Sequence, residues 1–241
     1  MSNYTSICLL IKDENKYLKE WIDWHISIGV NHFYIYDNAS AIPIIETISS
    51  LYNDTSLFTV IDWSDKYTHM QIEAYNHCLK NYGSENKWIA FIDTDEFIHT
   101  LNNVNLNTVL DSYKEYAYIT IPWVLFNANG HLYYEDTPVQ SRFTQTFDSE
   151  YLVCKYKSIV QPGSIQSMNV HFAEKYTGET IEVTDITLNH YYTRSLEEWN
   201  EKILRGTCSP IASRRYCEFF GFNPDLIAYK TTPKVFQQQY Q

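Results

Sequence analysis

Asp93 and Asp95 stand two residues apart, directly after the apolar run WIAFI at 88–92. A buried strand that opens into a loop at this point carries both carboxylates at the edge of a sheet. There they can share a hard divalent cation that keeps some of its waters and takes phosphate oxygens from a substrate. The same pair also suits a solvated strand end or a helix N-cap. The five apolar residues ahead of it favour the metal, because they bury the strand and fix the acidic step. Other polar residues sit where further apolar runs stop. Lys12, Asp13 and Glu14 follow SICLLI, Asp37 follows HFYIY, and Asp62 follows LFTVI. Gln71 opens a helical pattern, Lys157 opens KSIVQP, and His190 lies in NHY. Lys202 and Arg205 are three apart, hence on one face of a helix.

These residues need elements to hold them. Short apolar runs predict strands over 6–11, 32–36, 57–61 and 87–92. Apolar residues at helical spacing predict helices over 14–28, 42–51 and 70–82. Strand and helix alternating at this pitch predict a mainly parallel sheet with helices on its faces, and such sheets bind ligands at the carboxyl ends of their strands. From about residue 117 the texture changes. YITIPWVLF, VQSRFTQTF, YLVCKYKSIV, MNVHFA and ITLNHYY read as strands. A last helix over 196–204 is announced by Ser195 with Glu198 three residues on, a capping box. The expectation is one α/β domain, with a nucleotide-facing half at 1–116 and a partner-facing half at 117–241 that is richer in β.

Composition narrows the function. The chain has 241 residues, with 18 Lys and Arg against 29 Asp and Glu, a net charge of −11. Such a chain has no general attraction for nucleic acid or anionic lipid, so nucleic-acid binding is excluded and membrane contact is at most peripheral. None of the seven glycines forms G-x-G-x-x-G or a P-loop. The five cysteines are widely spaced and never C-x-x-C, which points to a reducing, cytoplasmic setting rather than a disulfide framework. The apolar stretch near the N-terminus is too short for a signal peptide or a membrane span. Abundant aromatics, 21 Tyr, 12 Phe and 6 Trp, suit sugar faces as well as cores.

Several blocks carry a more specific likeness: ICLLIKDENKYLKEWIDWHISIGVNHFYIYDNAS at 7–40, QIEAYNHCLK at 71–80, KWIAFIDTDEFI at 87–98, PWVLFNANGH at 122–131, KSIVQP at 157–162, VHF at 170–172 and NHYYTRSLEEWNEKILRG at 189–206. In these blocks and their order the chain resembles GT-A glycosyltransferases of family 92 and related bacterial family-2-like enzymes. The resemblance implies a GT-A, Rossmann-like nucleotide-sugar-binding fold. It also implies a Mn²⁺- or Mg²⁺-dependent transfer from a UDP-sugar, galactose foremost, with inversion. The acceptor would be a glycan or lipid-linked saccharide in cell-surface polysaccharide synthesis.

The resemblance further implies roles for single residues. Asp95 is the principal metal ligand, Asp93 binds the metal or contacts ribose and a metal-bound water, and His190 completes the metal shell. Asp37 holds base or ribose while also shaping its turn, and Lys12, Glu14 and Gln71 lie along the nucleotide. Lys157, Lys202 and Arg205 neutralise the diphosphate. For the general base, His131 and Asp136 beside the FNANGH turn are preferred over Glu135, Asp148, Glu174 and Asp185. Trp123, Phe126, Tyr133 and Tyr134 offer stacking surfaces, although Trp123 also suits a core. Asn127 follows Phe126 where the family usually has glycine, on the acceptor side. Two other readings of the acidic pair are a metal-dependent phosphodiesterase or pyrophosphatase, and a nucleotide-sugar-binding module without turnover.

Overall fold

The computed structural model of the chain describes residues 3–64, 70–147, 155–207 and 214–226. Two compact units emerge: Met1–Val124 with Leu152–His190, and Leu125–Tyr151 with Tyr191–Gln241.

In the first unit the chain runs β1 (Asn3–Ile11), α1 (Asn15–Ser27), β2 (His32–Asp37), α2 (Ile44–Leu51), β3 (Phe58–Asp62), α3 (Met70–Tyr82) and β4 (Asn86–Phe91). After these come β5 (Glu96–Thr100), α4 (Leu106–Asp111) and β6 (Tyr116–Leu125), whose last residue belongs to the second unit. A short helix, α5 (Val139–Arg142), lies in the second unit. Back in the first are β7 (Tyr156–Val160), β8 (Ile165–Met168), β9 (Ala173–Tyr176), β10 (Glu179–Glu182) and β11 (Ile186–His190). The second unit closes with α6 (Leu196–Arg205) and α7 (Tyr216–Phe222).

The main sheet has the order β3-β2-β1-β4-β7-β6-β11-β5, with β10 beside β6, and β8 pairs with β9 separately. β3, β2, β1 and β4 are parallel to one another. β7 turns antiparallel to both β4 and β6, and β5 runs antiparallel to β11. The result is a mixed α/β sheet, parallel from β3 to β4 and mostly antiparallel beyond β4. β1 and β4 read as continuous apolar runs because both faces are covered: Ile7, Cys8, Leu9, Ile89, Ala90 and Phe91 have no exposed surface.

Two stretches depart from the expected strands. In VQSRFTQTF, Val139–Arg142 is helical, because Pro138 at the N-cap sets an entry turn and buried Arg142 grips Glu198 of α6 at 2.9 and 3.1 Å. MNVHFA is the turn between β8 and β9, held by Asn169 N–H donating to the Phe172 carbonyl at 2.8 Å. The first part of YLVCKYKSIV, residues 151–154, and Asp148 lie outside the described residues. The predicted capping box of α6 is present: the Glu198 amide donates to Ser195 Oγ at 3.3 Å and Ser195 N–H donates to Glu198 Oε2 at 3.1 Å.

β5 is the last strand in the sheet order, and α1 covers its open side. Trp21 Nε1 donates to the Glu96 carbonyl and Trp24 Nε1 to the Ile98 carbonyl, both at 2.8 Å. Ile98 N–H in turn donates to His25 Nε2 at 3.2 Å, and His25 Nδ1 donates to the Trp21 carbonyl at 2.8 Å. Both bonds require the neutral imidazole with its proton on Nδ1. A second proton on Nε2 would face a backbone N–H.

Burial, opposed by the bond to Trp21, pulls the His25 pKa down to about 3. Between pH 6.5 and that value the unfolded chain binds a proton that the folded chain refuses. Stability is therefore lost as pH falls, by about 1.4 kcal/mol per pH unit from this residue. Denaturant unfolding at pH 7 and pH 4.5 should show about 3 kcal/mol more acid loss in the wild type than in His25→Gln, whose amide does not titrate. Equal pH slopes in the two proteins would refute this.

Candidate metal and donor site

The site grows out of β4. Trp88, Ile89, Ala90, Phe91 and Ile92 are wholly buried, so the chain leaves the sheet core abruptly at Asp93. The 93–96 turn is closed from both sides: Glu96 N–H donates to the Asp93 carbonyl at 3.1 Å, and Asp93 N–H donates to Glu96 Oε2 at 2.7 Å. β5 starts at once and pairs with β11 in a register that sets His190 opposite Glu96 and Asn189 opposite Phe97. That register, joining residues about a hundred positions apart, brings the histidine to the acidic turn. His190 Nε2 lies 3.6 Å from Asp95 Oδ1.

This pair fits a divalent cation. Two ligand atoms bound side by side at ~2.1 Å from one ion are themselves roughly 3 Å apart, close to the observed separation. A carboxylate oxygen and an imidazole nitrogen are donors that manganese accepts. Among the described residues no group of three or more His, Cys, Asp or Glu side chains gathers as a cage. Two protein ligands match an ion that draws its remaining ligands from water and substrate phosphates.

Asp93 is already engaged by protein. Gln71 Nε2 donates to its Oδ1 at 2.7 Å and Lys157 Nζ to its Oδ2 at 2.8 Å. Gln71 is buried at the start of α3 and also donates to the Tyr75 hydroxyl at 2.9 Å. Lys157, only 1% exposed, lies 3.8 Å from Glu96 Oε2 as well. Burial opposes its charge, but Asp93 and Glu96 outweigh that cost and lift its pKa well above the ordinary lysine value. Burial pushes the Glu96 carboxyl well up, with Lys157 pulling the other way. Of the two acids, Asp93 is the ammonium's direct partner.

The remaining expected residues fall as follows. Asp37 ends β2 and accepts from Ser40 N–H at 3.0 Å and from Ile44 N–H at 2.9 Å, so it shapes the turn and starts α2. Lys12 follows β1 and is partly exposed. Glu14 is buried at the head of α1, where its carbonyl accepts from Tyr17 N–H and its side chain makes no capping bond. Lys202 and Arg205 belong to the second unit. Lys202 is buried there and donates to the Tyr192 carbonyl at 2.6 Å. His131 and Asp136 also lie in the second unit. His131 pairs with Glu135 at 3.2 Å, and Asp136 accepts from the Tyr134 hydroxyl at 3.2 Å.

Three further residues join the site: Glu96, which stands in the acidic run 93–96 of the sequence, Trp123, which the sequence offers as a stacking or core ring, and His171 within the block VHF. Glu96 underlies the turn. Trp123 packs against His190 with ring centroids 4.4 Å apart, and against His171 at 5.5 Å. His171 Nδ1 is 3.2 Å from the Tyr156 carbonyl, which makes Nδ1 the donor and Nε2 the lone pair. Burial, with nearby Lys157, lowers the His171 pKa and keeps that ring neutral. The block VHF is the available signal for His171, and the contact of partly exposed Trp123 with His190 joins residues that no short window contains.

Comparison with known proteins identifies the family. A protein from Ricinus communis named as glycosyltransferase family 92 is 27% identical over 83% of this chain and 37% of its own length. The Arabidopsis thaliana galactan beta-1,4-galactosyltransferase GALS3 is 24% identical over 90% of this chain and 43% of its own length. The chain therefore spans about two fifths of the length of these relatives. Among solved structures, a mannosyltransferase from Pyrobaculum calidifontis in complex with GDP-Man and Mn²⁺ aligns with a TM-score of 0.39 at 11% identity, over 50% of this chain and 36% of that one. The model of glycosyltransferase family 92 matches residues 4–211. Because that match runs through α3, β4, β5, β7 and β11, every element that builds the acidic turn and its partners, the chain belongs to glycosyltransferase family 92.

Proposed function

We propose that the chain transfers galactose from UDP-galactose to a glycan or lipid-linked saccharide, with inversion and with manganese or magnesium bound at Asp95 and His190. The observation that carries this reading is the 3.6 Å approach of His190 Nε2 to Asp95 Oδ1 beside the exit of β4. The ion, when bound, supplies Lewis-acid stabilisation of the charge that develops on the departing diphosphate. Asp93, braced by Gln71 and Lys157, presents a fixed carboxylate to the ribose. Asp37 ends β2, two strands from β4 in the sheet, where its remaining lone pairs serve base or ribose. Lys12 and Glu14 are further proposed donor contacts; the roles of Lys202 and Arg205 toward the diphosphate and of His131 or Asp136 as general base are proposed from the family resemblance alone. Galactose is the sugar favoured by the galactan galactosyltransferases among the relatives. No helix among the described residues is long and apolar enough to cross a membrane, and we place the reaction in the cytoplasm, with at most peripheral membrane contact.

The test is a panel of UDP-galactose, UDP-glucose and GDP-mannose with β-1,4-galacto-oligosaccharide acceptors, with manganese or with chelator. The expected result is manganese-dependent release of UDP from UDP-galactose and a product whose new anomeric proton reports inversion by NMR. Selective stabilisation by that donor should also raise the melting temperature. No turnover and no stabilisation with any donor would overturn the reading.

A further inference from the structure

We infer that Glu96 is a positioning residue that sets the orientation and proton placement of His190 and the shape of the 93–96 turn, and so controls cation affinity. The inference rests on the proposed metal role of Asp95 and His190.

Glu96 has no exposed surface, yet its carboxyl group faces three parts of the site. Oε2 accepts from Asp93 N–H at 2.7 Å and lies 3.8 Å from Lys157 Nζ. Oε1 lies 4.0 Å from His190 Nδ1 and has no hydrogen-bond partner among the described residues. The residue's own backbone is pinned from the other side by Trp21 Nε1 at 2.8 Å, and its strand position is registered directly opposite His190. The carboxyl group thus cannot drift, and its free oxygen points at the imidazole nitrogen that does not face Asp95.

An acceptor in that place favours the tautomer with the proton on Nδ1 and leaves the Nε2 lone pair toward Asp95. At 4.0 Å the contact is longer than a hydrogen bond. Ligation through Nε2 would make Nδ1–H a stronger donor toward that oxygen.

Glu96→Gln keeps the volume but changes one acceptor into an NH2 donor. With the amide oxygen kept on Asp93 N–H, the NH2 group faces Nδ1. It favours the opposite tautomer, in which a proton on Nε2 occupies the metal-binding lone pair. With the amide reversed, donor faces donor at Asp93.

The test is Mn²⁺ binding by the whole chain without nucleotide, read from the EPR signal of the free aquo ion. Four proteins are compared: wild type, Glu96→Gln, His190→Asn and the double variant. Circular dichroism melting of each metal-free protein serves as the folding control. Glu96→Gln is expected to weaken manganese about 10- to 100-fold, and the double variant is expected to bind no more weakly than His190→Asn, since Glu96 acts through the ring. Losses that multiply in the double variant, or a Glu96→Gln affinity within about twofold of wild type, would overturn the inference. If Glu96→Gln unfolds, Glu96→Asp replaces it in the same cycle with the same expected non-additivity. A wild type that binds no manganese would instead remove the metal reading beneath it.

Discussion

Asp95→Asn should lower kcat/KM for sugar transfer by about 10²- to 10³-fold and abolish most manganese-dependent thermal stabilisation. The magnitude is that of losing one preorganised electrostatic partner of a transition state. The substitution keeps size and polarity and removes only the negative charge. Asp95 carries this expectation rather than Asp93 because the two acids have different partners. Asp93 accepts from Gln71 and Lys157 on its two oxygens, whereas Asp95 faces the Nε2 of His190. The measurement is initial rates against manganese concentration, with binding isotherms alongside. An Asp95→Asn protein within about threefold of wild type in both would refute the assignment.

Lys157→Met should destabilise the first unit by about 3–5 kcal/mol, the usual cost of removing one member of a buried ion pair and leaving its partner. The ammonium is 1% exposed and bonded to Asp93 at 2.8 Å, with Glu96 at 3.8 Å. Methionine fits the stem but leaves the acid cluster without its internal cation. At roughly 2–4 °C per kcal/mol for a unit of this size, the melting temperature falls on the order of 10 °C. The Lys157 pKa is raised, so its contribution is fully present below the ordinary lysine value and is lost only as pH climbs through the folded one. The deficit is therefore to be measured near pH 7. A melting temperature within about 2 °C of wild type would refute the structural role of the pair. Manganese should recover part of the loss, because an added dication also offsets the carboxylates.

Local pattern and non-local pairing divide what the sequence reveals. Helix 70–82 is legible residue for residue, since Tyr75 and Cys78 recur on one face and Gly83 ends it. The parallel strands are legible as apolar runs, and Ser195 with Glu198 announces α6. β5 is hidden, because four polar residues at 93–96 read as loop and FIHT becomes a strand only beside β11. The burial of Lys157 and Lys202 is not legible in the sequence, because lysine is seldom buried. Their acceptors, Asp93 and the Tyr192 carbonyl, are supplied by the folded chain. The approach of His190 to the acidic turn is implied by family likeness and has its physical cause in a strand register that no short window contains. Glu96 is the strongest example of a residue masked by its neighbours, since it reads as one more acid beside Asp93 and Asp95.

The way α1 closes over β5 bears on self-association. An outermost strand ordinarily offers a row of amides and carbonyls to any passing chain, which is how sheets join edge to edge into fibres. Here two indoles and one imidazole occupy those positions instead of another backbone. Of the three side chains that bond to the strand, His25 is the one that titrates in acid, and His99 of β5 packs on Trp24 beside it. Acidification should therefore uncover β5 before the apolar strands around β1 come apart, and the protein should fail at low pH by clumping into β-rich aggregates rather than by dissolving into separate unfolded chains.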